Sequence, residues 1–272
     1  MDHDPMPMRL FIRHTTRYTF DTPASHGLQQ LRKTPKSTHH QQVLHWRTDV
    51  QGGRREVAFE DHHNNVVELI SFEREAEGIV IVSEGEVEVG DNHGIVGRHI
   101  GPAPLWLYRR ATDRTRAGAG CRALIREVAG ETELDRLHAL REVIARAITF
   151  EIGASLSDWS AEDALAAGRG VCQDHTHVFL ACAREMGFPA RYVSGYLMLD
   201  DRVEQDAAHA WAEAHVDGLG WVGFDVSNGI SPDMRYVRVA TGLDYGEAAP
   251  VTGLTIGGGG ERLSVQIEVA QQ

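Results

Sequence analysis

Through residues 9 to about 110, apolar and polar positions alternate with a period close to two. RLFIRHTTRYTF alternates in part, and QQVLHWRTDV and REVAFED are short runs of the same kind. NNVVELISFE is followed by GIVIVSEGEVEV, with glycine- and glutamate-containing turns between them. Short alternating runs bounded by turn residues read as strands. Alternation of this sort belongs to antiparallel sheet with one face in water. Residues 1–115 are therefore expected to form a β-rich, sandwich-like domain. No internal repeat is visible.

The texture changes after GPAPLWLYRRATD, where proline and glycine punctuate residues 101–104. ELDRLHALREVIARAITF (133–150) places Leu134, Leu137, Leu140, Ile144 and Ile148 at helical spacing. SDWSAEDALAAG carries a capping serine, Ser160, with Asp163 three residues on, and stops at Gly168. CQDHTHVFLACAREMG reads as a further helix closed by Gly187 and Pro189. ARYVSGYLML, AHAWAEAHV and GWVGFDV read as strands, GLTIGGGGE as a flexible turn or hairpin loop, and ERLSVQIEVA as an edge strand. Helices followed by an antiparallel sheet give an α+β layer arrangement. It is expected over 116–240, with 241–272 as a C-terminal loop and strand packed on the rest.

Charge narrows the functional classes. The 272 residues hold 27 Lys and Arg against 39 Asp and Glu, a net charge of -12. Nucleic-acid binders carry a basic footprint, and GRR (53–55) and YRR (108–110) are too short to supply one. The opening MDHDPMPMRLFIRH lacks the apolar core of a leader sequence. No stretch approaches 18 apolar residues, so no membrane helix and no membrane partner are expected. The three cysteines, Cys121, Cys172 and Cys182, do not make a disulfide framework. Cys172 and Cys182 would sit about 15 Å apart along one helix, beyond the roughly 7 Å a disulfide tolerates. Reduced thiols fit a cytoplasmic protein. Whether the chain forms a homo-oligomer is left open.

A buried free cysteine is the ordinary reading of a lone thiol, and Cys182 takes it. Cys172 differs. It follows Gly168 and Gly170, opens with the polar CQDH, and stands in a helix's first turn, where unpaired N–H groups and the positive dipole end favour a thiolate. The rest of that helix is apolar on several sides and so belongs in the interior. A thiolate chemistry needs a base. On AAHAWAEAHV, period two puts His209, Trp211, Glu213 and His215 on one face and alanines on the other. His209 lies at the strand's start, near an opening; His215 lies some 20 Å further along and reads as a surface or core histidine. Asp225 follows on the next strand, through the short DGLG turn, and can accept from the base's other nitrogen. Counted from that turn the two are out of step, so a bulge or a diagonal contact is required.

The neighbouring residues take structural readings first. Gln173 and Asp174 sit where a helix start favours acceptors. His175 is expected to make a structural hydrogen bond. Trp211 is either a pocket wall or a core tryptophan. Arg191, Tyr192 and Tyr196 are expected to pack or bridge elements. Cys172, His175, His177 and His209 are zinc-ligand types, but five residues turn a helix by about 500°, which puts Cys172 and His177 on different faces. His39–His40 and His62–His63 read as ordinary loop histidines. No metal ligand and no cofactor are expected.

The blocks GRGVCQDHTHVFLACAREMGFPARYVSGYL and AAHAWAEAHVDGLGWVGFDVSNG resemble the transglutaminase-like superfamily, and more narrowly its bacterial members described as cysteine proteases. Gly-Val-Cys at a helix start, His-Ala-Trp on a strand, and Gly-Trp then Phe-Asp on the next come in the family's order. HTTRYTFDTPASHGLQQLRKTPKSTHHQQV and DHHNNVVELISFE resemble the β-rich region that precedes the core in those proteins, with Asn64 where the family usually has glycine. The resemblance implies a papain-like α+β core. It also implies Cys172 as nucleophile, His209 as general base and Asp225 as orienter. The implied reaction is hydrolysis of a peptide, isopeptide or other amide through an acyl-enzyme. Acyl transfer or deamidation by the same triad, and a non-catalytic binding module, are the alternatives.

Overall fold

The computed structural model describes residues 6–156 and 158–272. The first five residues of the opening segment, and Ser157 at the head of the second helical pattern, lie outside them. The N-terminal region holds β1 (Met8–Thr34), β2 (Gln41–Gln51), β3 (Gly53–Glu60), β4 (Val66–Phe72), β5 (Ala76–Val89) and β6 (Ile95–Gly97). Next come α1 (Ala119–Ile125), α2 (Glu133–Ala147), β7 (Thr149–Phe150), α3 (Ala161–Ala167), β8 (Arg169–Gly170) and α4 (Cys172–Glu185). The chain closes with β9 (Ala190–Leu197), β10 (Glu204–Gln205), β11 (His209–Val216), β12 (Gly220–Phe224), β13 (Tyr236–Gly242), α5 (Tyr245–Ala248), β14 (Val251–Gly257) and β15 (Arg262–Gln271).

The first sheet is organised on β1, whose 27 residues serve two half-sheets. Its first part pairs with β5 and β15, its second with β4 and β14, and the register shifts between Ala24 and His26. The sheet folds across that shift. Tyr18, Phe20, Leu31, Ile70, Ile79 and Ile81, drawn from both halves, meet in one buried cluster. The result is sandwich-like, but hydrogen bonding is continuous from one layer to the other.

The C-terminal segment completes this sheet. The first half of GLTIGGGGE, expected as a turn or hairpin loop, belongs instead to strand β14 (Val251–Gly257), with Leu254 opposite Leu28. Local glycine weakens a strand, yet the open side of β1 supplies a partner that no local signal can show. β15 pairs along β1 from Leu10 to Thr19 and is covered on its other side only where β10 meets it at Ile267 and Glu268. The edge-strand reading therefore holds over most of its length.

The second sheet has the order β13-β9-β11-β12-β6 and is antiparallel throughout. Helix α4 packs on it. Ala210, Ala212 and Ala214, the small face of β11, share a buried cluster with Val178, Phe179, Leu180 and Ala181 of α4. The opposite face of β11 carries Glu213, fully buried and ion-paired to Arg191 and Arg238. The Arg191 guanidinium lies 3.9 Å from the centre of the Trp221 ring. A buried carboxylate is tolerable only when paired in this way.

The helices follow their local signals with two exceptions. Thr132 and Ser160 form capping boxes with Asp135 and Asp163. α2 ends at Ala147, earlier than its periodicity predicts, because Thr149 and Phe150 leave to pair with Arg169 and Gly170. α1 was not legible. Its N-terminal N–H groups, of Gly118, Gly120 and Cys121, are each 2.9 Å from the Glu162 carboxylate of α3. The cap comes from 41 to 44 residues away in the chain, so no local motif announces it.

Two side-chain amides join the sheets. Gln41 donates to Arg238 O and accepts from Arg238 N; Asn65 does the same with Thr241. Each occupies the backbone of β13 as a neighbouring strand would, at the outer edge of the second sheet. Asn64, the residue that replaces the family's usual glycine, has φ 66°. The position needs a left-handed backbone, and Asn is among the few residues that adopt it readily.

Candidate active site

Cys172 is the first residue of α4 and is partly exposed, while the helix behind it is buried. Asp174 accepts from Val171 N at 2.8 Å and fixes the entry into the helix. Gly170 is required there: a Cβ would stand 2.7 Å from that of Asp174. Cys172 therefore sits on a rigid turn at the positive end of a central helix.

His209 opens β11 and lies close enough to the Cys172 sulfur for the two groups to interact electrostatically. Its bond to Asp225 joins Nε2 to Oδ2 at 2.7 Å, so Nδ1 is the ring's other nitrogen. The contact with Asp225 is diagonal. β11 and β12 pair Ala212 with Phe224 and Val216 with Gly220, so residue 227 would fall opposite His209. β12 ends at Phe224, and Asp225 pairs instead with Ile230, which turns its carboxylate back toward His209.

The carboxylate is held from several sides. Oδ2 accepts from Tyr236 Oη and Asn228 Nδ2, each at 2.7 Å, and Oδ1 from Asn228 N at 3.2 Å. Burial by itself would raise the Asp225 carboxyl; the bond and charge of His209, with Asn228 and Tyr236, outweigh it and hold it below the usual carboxylate range. Burial likewise works against charge on His209. The bond to Asp225 and the interaction with Cys172 win, and the imidazole is pushed up to about 10. Trp211, 2% exposed, meets Tyr236 edge-on at 5.4 Å between centroids and supports this shell as a core tryptophan.

The neighbouring histidines are structural. His175 joins Ser227 Oγ at 2.8 Å and Ile148 O at 3.1 Å, tying the loop after Asp225 to the end of α2. Burial lowers its proton affinity. His177 accepts from Tyr245 N at 3.2 Å, and burial lowers it to about 3. Neither converges with Cys172 as a metal ligand would. His215 packs edge-on against Trp221. Cys182 is buried, and its thiol is pushed up first by its hydrogen bond with Cys121 and then by burial. Cys121, Cys172 and Cys182 are all unpaired as disulfides.

Tyr236, Asn228, Tyr192 and Tyr245 were not singled out for the site from sequence. Asn228 stands three residues after Asp225 in SNG, a turn signature that could have drawn attention. Tyr236 offers no local cue. Tyr192 and Tyr245 meet edge-on at 6.1 Å. Both phenols are raised, chiefly by burial and further by charge on the Cys172 sulfur.

A thiol at the head of a buried helix, facing a histidine and an aspartate on adjoining antiparallel strands, defines a papain-like arrangement. Residues 122–226 match the model of the transglutaminase-like superfamily, and residues 10–88 that of the bacterial transglutaminase-like N-terminal region. The two matches correspond to a transglutaminase-like core and to the region that precedes it in bacterial proteins of that kind. An uncharacterized protein of Mycobacterium leprae is 27% identical over 277 residues, covering 97% of this chain and 99% of its own. An uncharacterized protein of Mycobacterium tuberculosis is 34% identical over 146 residues, 48% of this chain and 46% of the relative. In fold, the chain is similar to the crystal structure of a candidate cysteine protease from Cytophaga hutchinsonii. That match has a TM-score of 0.79 and 20% identity, over 99% of this chain and 92% of the other. Among the described residues no helix is long and apolar enough to cross a membrane.

Proposed function

We propose that this chain is a thiol hydrolase acting on a peptide, isopeptide or other amide, with Cys172 as nucleophile, His209 as proton carrier and Asp225 as its orienter. The observation that carries the reading is the His209 ring, joined to Asp225 Oδ2 at 2.7 Å and near enough to the Cys172 sulfur for the thiol to raise its proton affinity. Nucleophile, base and orienter in hydrogen-bonding sequence are what acyl transfer through a covalent intermediate requires.

His209 takes the Cys172 proton, and the raised proton affinity of its imidazole, about 10, favours the thiolate–imidazolium pair. The sulfur attacks the amide carbon and the C=O electrons move to oxygen. The N–H of Cys172, in the first turn of α4, is placed to donate to that oxyanion. The adduct collapses, the C–N bond breaks, and His209 gives its proton to the departing amine. His209 is then neutral and takes a proton from water as the water attacks the thioester. The acid leaves, and the thiolate–imidazolium pair is restored. Upstream, the backbone N–H of Trp159 is taken by Leu156 O. An amine in place of water would give acyl transfer by the same steps.

The test is to incubate wild type and Cys172→Ala with peptide, isopeptide and amine-acceptor substrates, following products and intact mass. Thiol-dependent turnover with an acyl adduct on Cys172, absent from the variant, is expected. Turnover that survives in Cys172→Ala, or no adduct with any substrate, would overturn the assignment.

A further inference from the structure

We propose that His62, His63 and Glu247 form a binding site for Zn²⁺, separate from the thiol site and independent of its chemistry. The three residues each offer one ligand atom, and these atoms all lie within 4.8 Å of one another.

The turn DHHNN builds one half. Asp61 Oδ1 accepts from His63 N and Asn65 N, both at 2.9 Å, and the turn closed in this way carries both imidazoles on one side. Their ring centroids are 4.0 Å apart. Successive residues in a strand would point to opposite faces, so the turn is what brings them together. The other half comes from α5, where Glu247 Oε2 stands 2.8 Å from His63 Nε2.

The surroundings match what a ligating histidine needs. Its second nitrogen is normally held by a further partner, which fixes tautomer and ring orientation. His63 is buried, and its Nδ1 lies 3.1 Å from Tyr108 Oη. As the structure stands, Nε2–H donates to Glu247 and Nδ1 accepts from Tyr108 Oη; an ion replacing the Nε2 proton would leave Nδ1–H to donate to that hydroxyl. Glu247 is held in turn by Leu243 N at 2.7 Å. His62 is exposed and free to rotate toward the pair.

Two imidazoles and a carboxylate are a common Zn²⁺ donor set, with a fourth position left for water. Bond lengths of about 2.0–2.2 Å imply ligand atoms about 3.4 Å apart in a tetrahedron, so the 2.8 Å His63–Glu247 pair must open to admit the ion while His62 turns in toward it. The ion would clamp the turn at 61–65 to α5, which also carries Tyr245. Tyr245 N donates to His177 of α4. The clamp therefore reaches α4, the helix that Cys172 heads, through one short helix.

The test uses the full chain, stripped with chelator and titrated with Co²⁺ as spectroscopic probe and then with Zn²⁺. One equivalent of Co²⁺ should give visible absorption bands, displaced by Zn²⁺, and Zn²⁺ should raise Tm. His62→Ala, at an exposed position, and Glu247→Gln, which keeps an acceptor for Leu243 N, should each weaken binding at least tenfold and remove the Tm shift. Cys172→Ala should bind Co²⁺ as wild type does. No saturable Co²⁺ binding, binding unaffected by both variants, or binding lost in Cys172→Ala would overturn the proposal.

Discussion

Asp225 Oδ2 lies 2.7 Å from His209 Nε2 although the strand register sets residue 227 opposite His209. The diagonal is held by Tyr236 and Asn228, which donate to the same oxygen at 2.7 Å each. The histidine's orientation therefore depends on a carboxylate that is itself fixed in place.

Substitutions in that shell should separate orientation from packing. Tyr236→Phe removes one of three donors to Oδ2 and should cost about 1–2 kcal/mol of stability. Turnover should fall about tenfold, with KM little changed. Asp225→Asn should cut turnover by ~10³-fold or more, because the imidazole loses its charged acceptor. Steady-state kinetics on both variants checks this; equal, small losses would remove Asp225 from the orienting role.

Stability should depend on pH with opposite signs from the two partners. His209 is raised from an ordinary 6.5 to about 10, so its contribution is complete below about 6.5 and is lost as pH rises toward 10. Asp225 is lowered from 3.8, so its contribution is present above that value and is lost as pH falls toward the lowered one. Cys172→Ala deletes one of the interactions that raise His209. Its alkaline limb, followed by chemical denaturation or by NMR titration of His209, should move to lower pH, and an unmoved limb would contradict the coupling.

The amide contacts between the sheets give a stability prediction unrelated to chemistry. Asn65→Ala leaves the N–H and C=O of buried Thr241 without their partners and should cost about 2–4 kcal/mol. At φ 66°, Asn64→Ala should cost about 1 kcal/mol, whereas Asn64→Gly should change stability by less than ~0.5 kcal/mol, since easier φ offsets greater unfolded-state entropy. Urea denaturation of the three variants provides the comparison.

The sequence by itself determined the elements with their own signals. The capped helices α2 and α3, the apolar α4 and the alanine face of β11 all follow from spacing and caps that act within one or two turns of chain. The thiol, the imidazole and the carboxylate were legible for the same reason: Cys172 follows a glycine turn at a helix start, and His209 and Asp225 flank one short hairpin. Tertiary structure decided the rest. It drew β14 into the sheet against its glycines, capped α1 with Glu162, turned Asp225 onto the diagonal, and brought Glu247 to His63 across 184 residues. Hydrogen bonds of that kind act over a few ångströms of space and carry no record in the spacing of residues, so only the folded chain brings their partners together.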